Sequence, residues 1–189
     1  MNTKPVIARM DELLKPLRFT RHKAIWNRRS DRFVDVVDLQ TSKAGDTVTI
    51  NAGVLHPEVH RKCWATELPT IIQEPECTVR ARVGQLIDGK DVWWRLSDRK
   101  IVDDVVAKTT EYVLPFLGRM HSLDAMEQFL ANAQVMKQKY PPPIIYLAIL
   151  MNERGDRTGA CALLSELGKK TVRAWKTRIS EVAERLKCR

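Results

Sequence analysis

Residues 19–55 read FTRHKAIWNRRSDRFVDVVDLQTSKAGDTVTINAGVL. Two polar turns, Arg29-Ser30-Asp31 and Ser42 to Asp46, divide this stretch into three strand-like runs. The spacing predicts a first strand over about Phe19 to Arg28 and a second over about Arg32 to Gln40. In the second, Phe33, Val34, Val36, Val37 and Leu39 are apolar on both faces, as in a strand covered on both sides. In the third, Val48, Ile50, Ala52 and Val54 alternate with Thr47, Thr49, Asn51 and Gly53, which predicts one buried and one polar face. Links this short favour an antiparallel meander.

Further along, Cys77, Val79, Ala81 and Val83 alternate with Thr78, Arg80 and Arg82, a fourth strand; Asp88-Gly89 is a turn, and Val92 to Leu96 a short fifth strand. Between Leu55 and Glu76, Pro57, Pro69 and Pro75 break the pattern into an irregular excursion with a short helix near Glu58 to Trp64. A helix is expected over Thr3 to Leu17, with Thr3 as cap, and another from Ser97 to about Leu114, with Pro115 near its end. Beyond Phe116 everything reads helical. Ser122 caps a helix burying Leu123, Met126, Phe129, Leu130 and Ala133, and Ile144 to Met151 is apolar nearly all round. Gly155-Asp156 links to a helix that Gly168 should close, and a last helix carries Val172, Trp175, Ile179, Val182 and Leu186 along one stripe. The expected architecture is α+β: an antiparallel sheet of about five strands with helices on one face in residues 1–115, and a helical extension packed on it in residues 116–189.

Composition narrows the class. The chain has 189 residues, 44% hydrophobic and 29% charged, ordinary for a globular protein. No apolar run is long enough to cross a bilayer, and Asp11 and Glu12 interrupt the N-terminal stretch where a signal peptide needs apolar residues, so a cytoplasmic protein without membrane contact is expected. Cys63, Cys77, Cys161 and Cys188 are scattered without a C-x-x-C, which argues for reduced thiols, with Cys77 and Cys161 as small core residues. The net charge of +9 favours an acidic partner, whether nucleic acid or protein.

The first two thirds of the chain resemble a bacterial domain-of-unknown-function family, numbered 4304. The resemblance is carried by LKPLRFTR (Leu14 to Arg21) with Trp26 and Arg28, by Val37 to Ser42 with Gly45-Asp46, by Ile50 to Val54, and by Cys77 to Gly84 followed by Trp93-Trp94. It covers roughly Met1 to Leu114, implies one domain, and implies no activity, cofactor or site residue.

Three candidate sites follow from the residues. If strands three and four bury their apolar faces, then Asn51, Arg80 and Arg82, joined by Gln40, project together and could hold a phosphate or carboxylate; the bland alternative pairs the arginines with Asp35 and Asp38. His56, His60 and Cys63 in HPEVHRKC are weak metal candidates, although Pro57 disfavours a helical His56. From Lys169 to Arg189 there are eight basic and two acidic residues; Lys169, Lys170, Arg173 and Lys176 lie off the apolar stripe, while Lys187 and Arg189 suit the negative end of the helix dipole. Trp64, Trp93 and Trp94 could stack on bases or pack in the core. No nucleophile elbow, Gly-rich phosphate loop or zinc-protease motif is present, so no cofactor is implied. The leading expectation is a non-enzymatic protein that binds a protein partner, of immunity or regulatory type. The alternatives are nucleic-acid binding through the last helix and an enzyme for a small anionic substrate.

Overall fold

The computed structural model describes residues 2–30, 32–132 and 140–188. Asp31, Ala133 and Arg189 lie outside the described residues. The chain forms two compact units: Met1–Leu55 with Pro69–Arg119, and His56–Leu68 with Met120–Arg189.

The first unit is α+β. Its strands are β1 (Thr20–His22), β2 (Ile25–Arg29), β3 (Val34–Thr41), β4 (Thr47–Leu55), β5 (Val79–Arg82) and β6 (Trp94–Arg95). They form one antiparallel sheet in the order β1-β2-β3-β4-β5, with β6 beside the start of β4. The expected first strand is a hairpin: Lys23, at φ 56°, turns the chain so that His22 faces Ile25. Pairing places Trp26, Val37, Ala52 and Ala81 on one face, with Asp35, Val54 and Val79 in the next row. That face is the core. Helix α1 (Lys4–Leu14) contributes Val6, Met10 and Leu14 to the interior, and its Asp11 accepts the indole N–H of Trp26 at 2.7 Å. The Thr3 side chain accepts no capping hydrogen bond, and a 3-10 turn over Lys15–Leu17 accommodates Pro16.

The opposite face differs from expectation. β4 is not polar and solvated on one side; from Val48 to Leu55 every residue is buried, Thr49 and Asn51 included. The cover is the stretch that reads as irregular in the sequence. Asn27 exchanges two hydrogen bonds with the backbone of Ile72, and Arg29 donates to the carbonyls of Pro69 and Thr70. Cys77 belongs to this cover and does not continue the core face of β5. It lies against Gly53, where an added Cβ would come within 2.6 Å of the Cys77 Cβ and Sγ.

Downstream, Val83 starts a short helix, α3 (Val83–Ile87), instead of extending β5. Gly84 lets the chain fold back on itself, since a Cβ there would lie 1.9 Å from the carbonyl oxygen of Lys90. Helix α4 (Ile101–Lys108) begins after Lys100, so Ser97 is not its cap. A π-helical turn over Thr109–Val113 then leads into α5 (Leu114–Arg119). The helix therefore runs through Pro115. The wide turn absorbs the residue whose missing N–H and ring would break a regular α-helix.

The second unit is helical: α2 (Pro57–Trp64), α6 (Leu123–Leu130), α7 (Pro142–Glu153), α8 (Arg157–Lys170) and α9 (Arg173–Arg185). Ser122 caps α6 and Asp156 caps α8, accepting from Ala125 and Gly159. α8 runs past Gly168, which is not its terminus. α7 is buried along Ile144 to Leu150. Cys161 and Cys188 form a disulfide, against the expectation of reduced thiols and a core Cys161. Cys63 and Cys77 are free and buried.

The two close approaches give a direct test. Gly84→Ala should destabilise the protein by ~2 kcal/mol, because a backbone carbonyl has to move, and Gly53→Ala by ~1 kcal/mol or more. Denaturant midpoints measured at unchanged m-value would check both.

Candidate functional site

Register decides which polar side chains meet. Gln40 faces Thr49, Asp38 faces Asn51, and Asn51 faces Arg82, so all five share the covered face of the sheet. Asn51 is the hub. Its Nδ2 donates to Asp38 Oδ2 at 3.0 Å and to Gln40 Oε1 at 2.9 Å, and its Oδ1 accepts from Arg82 Nε at 3.2 Å. Arg82 donates from Nη1 to both oxygens of Asp91 at 2.9 Å and from Nη2 to Gln40 at 3.3 Å. The guanidinium also lies 5.2 Å from the centre of the Trp93 ring, whose indole N–H donates to Asp91. Gln40, Asn51 and Arg82 thus meet as the sequence pattern suggests. Arg80 shares their face but turns to Glu74, at 3.3 Å. Neither arginine pairs with Asp35, which lies on the core face, held by Arg28 at 2.8 Å.

This cluster is chemically an anion fork whose carboxylate is already supplied from within. Asp91 takes Nη1 with both of its oxygens while Nε and Nη2 go to Asn51 and Gln40, so all three guanidinium nitrogens are engaged within the protein. The hydrogen bonds from Arg82 and Trp93 hold the Asp91 carboxyl below the usual range. Burial acts the other way on Asp38 and Glu74. It pushes both carboxyls up, and the opposing hydrogen bond from Asn51 and charge of Arg80 are smaller effects. Thr49 Oγ1 is fully buried with no hydrogen-bond partner. No sequence pattern marked Asp91 or the unpartnered hydroxyl. Asp91 follows a turn, and only the fold-back at Gly84 brings it to Arg82.

The metal candidates lie in the helical unit. Pro57 opens α2 and leaves His56 outside it as the cap residue. His60 Nε2 lies 3.2 Å from Thr66 Oγ1. Burial pushes the Cys63 thiol up to about 12, partly offset by Arg178 and Arg185, so it stays protonated at neutral pH. Among the described residues no group of three His, Cys, Asp or Glu side chains could hold a metal ion.

The basic segment divides into structural and free charges. Arg178 donates to the carbonyls of Cys63 and Trp64 at 3.3 and 3.4 Å, and Arg185 to those of Lys62 and Cys63 at 3.0 and 3.4 Å. These two guanidiniums satisfy the last carbonyls of α2, which a helix end otherwise leaves without partners. Lys169 and Lys170 both pair with Glu166. Arg173 and Lys176 are exposed and form no ion pair among the described residues.

The apolar stripe of α9 is also not buried throughout. Ile179, Val182 and Leu186 are interior, but Val172 is 69% exposed and Trp175 only half-buried. Trp175 meets Trp64 edge to face at 6.1 Å and Tyr140 at 5.7 Å, and Tyr140 is itself 51% exposed. Trp64 is fixed from behind by Arg178 over its ring and by its N–H on the Tyr146 hydroxyl at 3.1 Å. The sequence placed Val172 and Trp175 on the buried stripe and gave no role to Tyr140.

The profile of a family described as domain of unknown function (DUF4304) matches residues 10–119, more than half of the chain. The protein belongs to the DUF4304 family. Its family match takes in β1 to β6 and the Arg82 cluster, together with the segment containing α2. No curated protein and no solved structure matches this DUF4304 chain. No helix among its described residues is long and apolar enough to cross a membrane.

Two substitutions probe the buried polar face. A carboxyl whose folded-state value is raised binds its proton more tightly folded than unfolded, so stability falls as pH rises through that raised range. Asp38→Asn keeps an acceptor for Asn51 and removes the titration. It should raise the denaturant midpoint at pH 7 relative to the parent, with the difference shrinking toward pH 4. Thr49→Val should stabilise by ~1 kcal/mol, because an unpartnered buried hydroxyl is replaced by a methyl of the same shape. Urea unfolding at both pH values would check each.

Proposed function

We propose that this protein is a non-enzymatic binding protein, of immunity or regulatory type, that takes an acidic protein partner on the exposed aromatic surface of its helical unit. The observation that carries this reading is the exposed Val172 and Tyr140, with the half-buried Trp175 against Tyr140 and the exposed Arg173 and Lys176 on the same turn of α9. Interface centres are enriched in aromatic anchors, with charge at the rim. Trp175 is held between two other rings, so little side-chain freedom is lost when a partner covers it. The cations around it favour a partner whose contact surface is acidic.

Two observations favour protein over nucleic acid. Arg178 and Arg185 are tied to backbone carbonyls and to Glu181, and Lys169 and Lys170 share Glu166. Binding along a phosphate backbone depends on many free cations acting together, and few remain here. The reading of a small-anion enzyme loses support because Asp91 already fills the Arg82 fork. The cytoplasmic, bacterial setting expected from the sequence belongs to the same proposal.

A photo-crosslinking side chain at position 172, compared with one at exposed position 43, tests the surface in the native cells. Position 172 is expected to capture one discrete protein, with no nuclease sensitivity, and the Arg173→Glu/Lys176→Glu variant to lose it. Trp175→Ala should weaken the complex by about 2 kcal/mol, roughly thirtyfold in Kd. Adducts to nucleic acid, or identical adducts from both positions, would overturn the reading.

A further inference from the structure

The disulfide of the helical unit lies in a basic surface depression whose lining residues are not those of the aromatic surface. Cys161 and Cys188 are only half-buried and line an open surface depression of about 480 Å³ together with Arg157, Thr158 and Lys187. Arg157 stands four residues before Cys161 on α8, so the two share a helix face. Its guanidinium donates to the carbonyl of Lys187, which draws the residue next to Cys188 into the same wall. Neither Arg157 nor Lys187 forms an ion pair among the described residues. The pocket also opens at the N-terminal end of α8, where the helix dipole adds positive potential.

We propose that this pocket is an S-thiolation site for small thiols that carry carboxylates, glutathione being the model ligand. The cations hold the carboxylates while the ligand's thiolate, having lost its proton to solvent, attacks Cys188 Sγ. The Cys161–Cys188 bond breaks as the new sulfur–sulfur bond forms. The electron pair leaves on Cys161 Sγ, which takes a proton from solvent. One disulfide is exchanged for another, so no further oxidant or reductant is required. Exchange proceeds faster when the departing sulfur is the better stabilised thiolate. Cys161 is assigned as the departing sulfur because it shares a helix face with the Arg157 cation.

The test uses the whole chain and compares glutathione with glutathione diethyl ester, each rate normalised to exchange with hydroxyethyl disulfide. Glutathione should be preferred about fivefold to tenfold at low ionic strength, with the preference falling to about one at high salt. Arg157→Gln/Lys187→Gln should abolish it without salt. Acid quenching, alkylation and peptide mapping should find glutathione on Cys188 and the alkyl group on Cys161. The salt series on the native protein answers the question even if the double variant does not fold. Equal normalised rates for the two thiols, an inert disulfide, or glutathione on Cys161 would overturn the proposal.

Discussion

Everything in the α+β unit depends on covering both faces of β4. A central strand with one wet face can carry threonine, asparagine and arginine at no cost, because water completes their bonds. Once residues 69–77 close over that face, each polar group needs a partner in the protein or is left unsatisfied. The result at the buried end is Asn51 bonded to Asp38, Gln40 and Arg82, from which the chain of bonds continues to Asp91 at the exposed rim. Thr49 is the residue for which the closure supplied nothing. Two glycines make the closure possible, Gly53 by admitting Cys77 and Gly84 by admitting the backbone of Lys90. Both glycines fall within the sequence blocks by which the family resemblance was recognised.

The helical unit solves a different problem. α2 is eight residues long, and its last carbonyls have no helical partners. Arg178 and Arg185 reach them from α9, which fixes α9 at its middle and C-terminal end. Its first turn has no comparable hydrogen bond to α2: Val172 meets solvent, and Trp175 stands half-buried between the rings of Trp64 and Tyr140. The same arginines therefore secure the helix, while the start of the stripe stays partly open to solvent.

Much of the sheet was legible from period-two alternation. β4 and the core face of β5 follow it, β3 instead reads as a strand covered on both faces, and the in-register meeting of Gln40, Asn51 and Arg82 follows from the face each strand position takes. The pattern failed where polarity was read as exposure. Asn51 is polar and buried, because alternation reports which side chains share a face and not what lies above it. It failed again at Cys77, in phase with Val79 by sequence but on the other side of the sheet after a bend. On α9 the same logic erred in the opposite sense, since an apolar residue in phase with a core stripe is buried only if the neighbouring element extends that far. Pro115 misled for a local reason: a single π-turn changes the helical count, and composition does not announce it.

The sequence by itself determined the α+β class, the family, the strand order of the meander and the positions of most helix starts, because these depend on local periodicity and on residues with restricted backbones. Tertiary structure alone decided that Asp91 fills the Arg82 fork, that Arg178 and Arg185 cap a helix more than a hundred residues earlier, and that Cys161 meets Cys188. Each of these brings together groups distant along the chain, and the charge or thiol involved looks the same in sequence whether it is free or already spoken for. Partner choice among polar groups is set by distance in space, which no local pattern encodes.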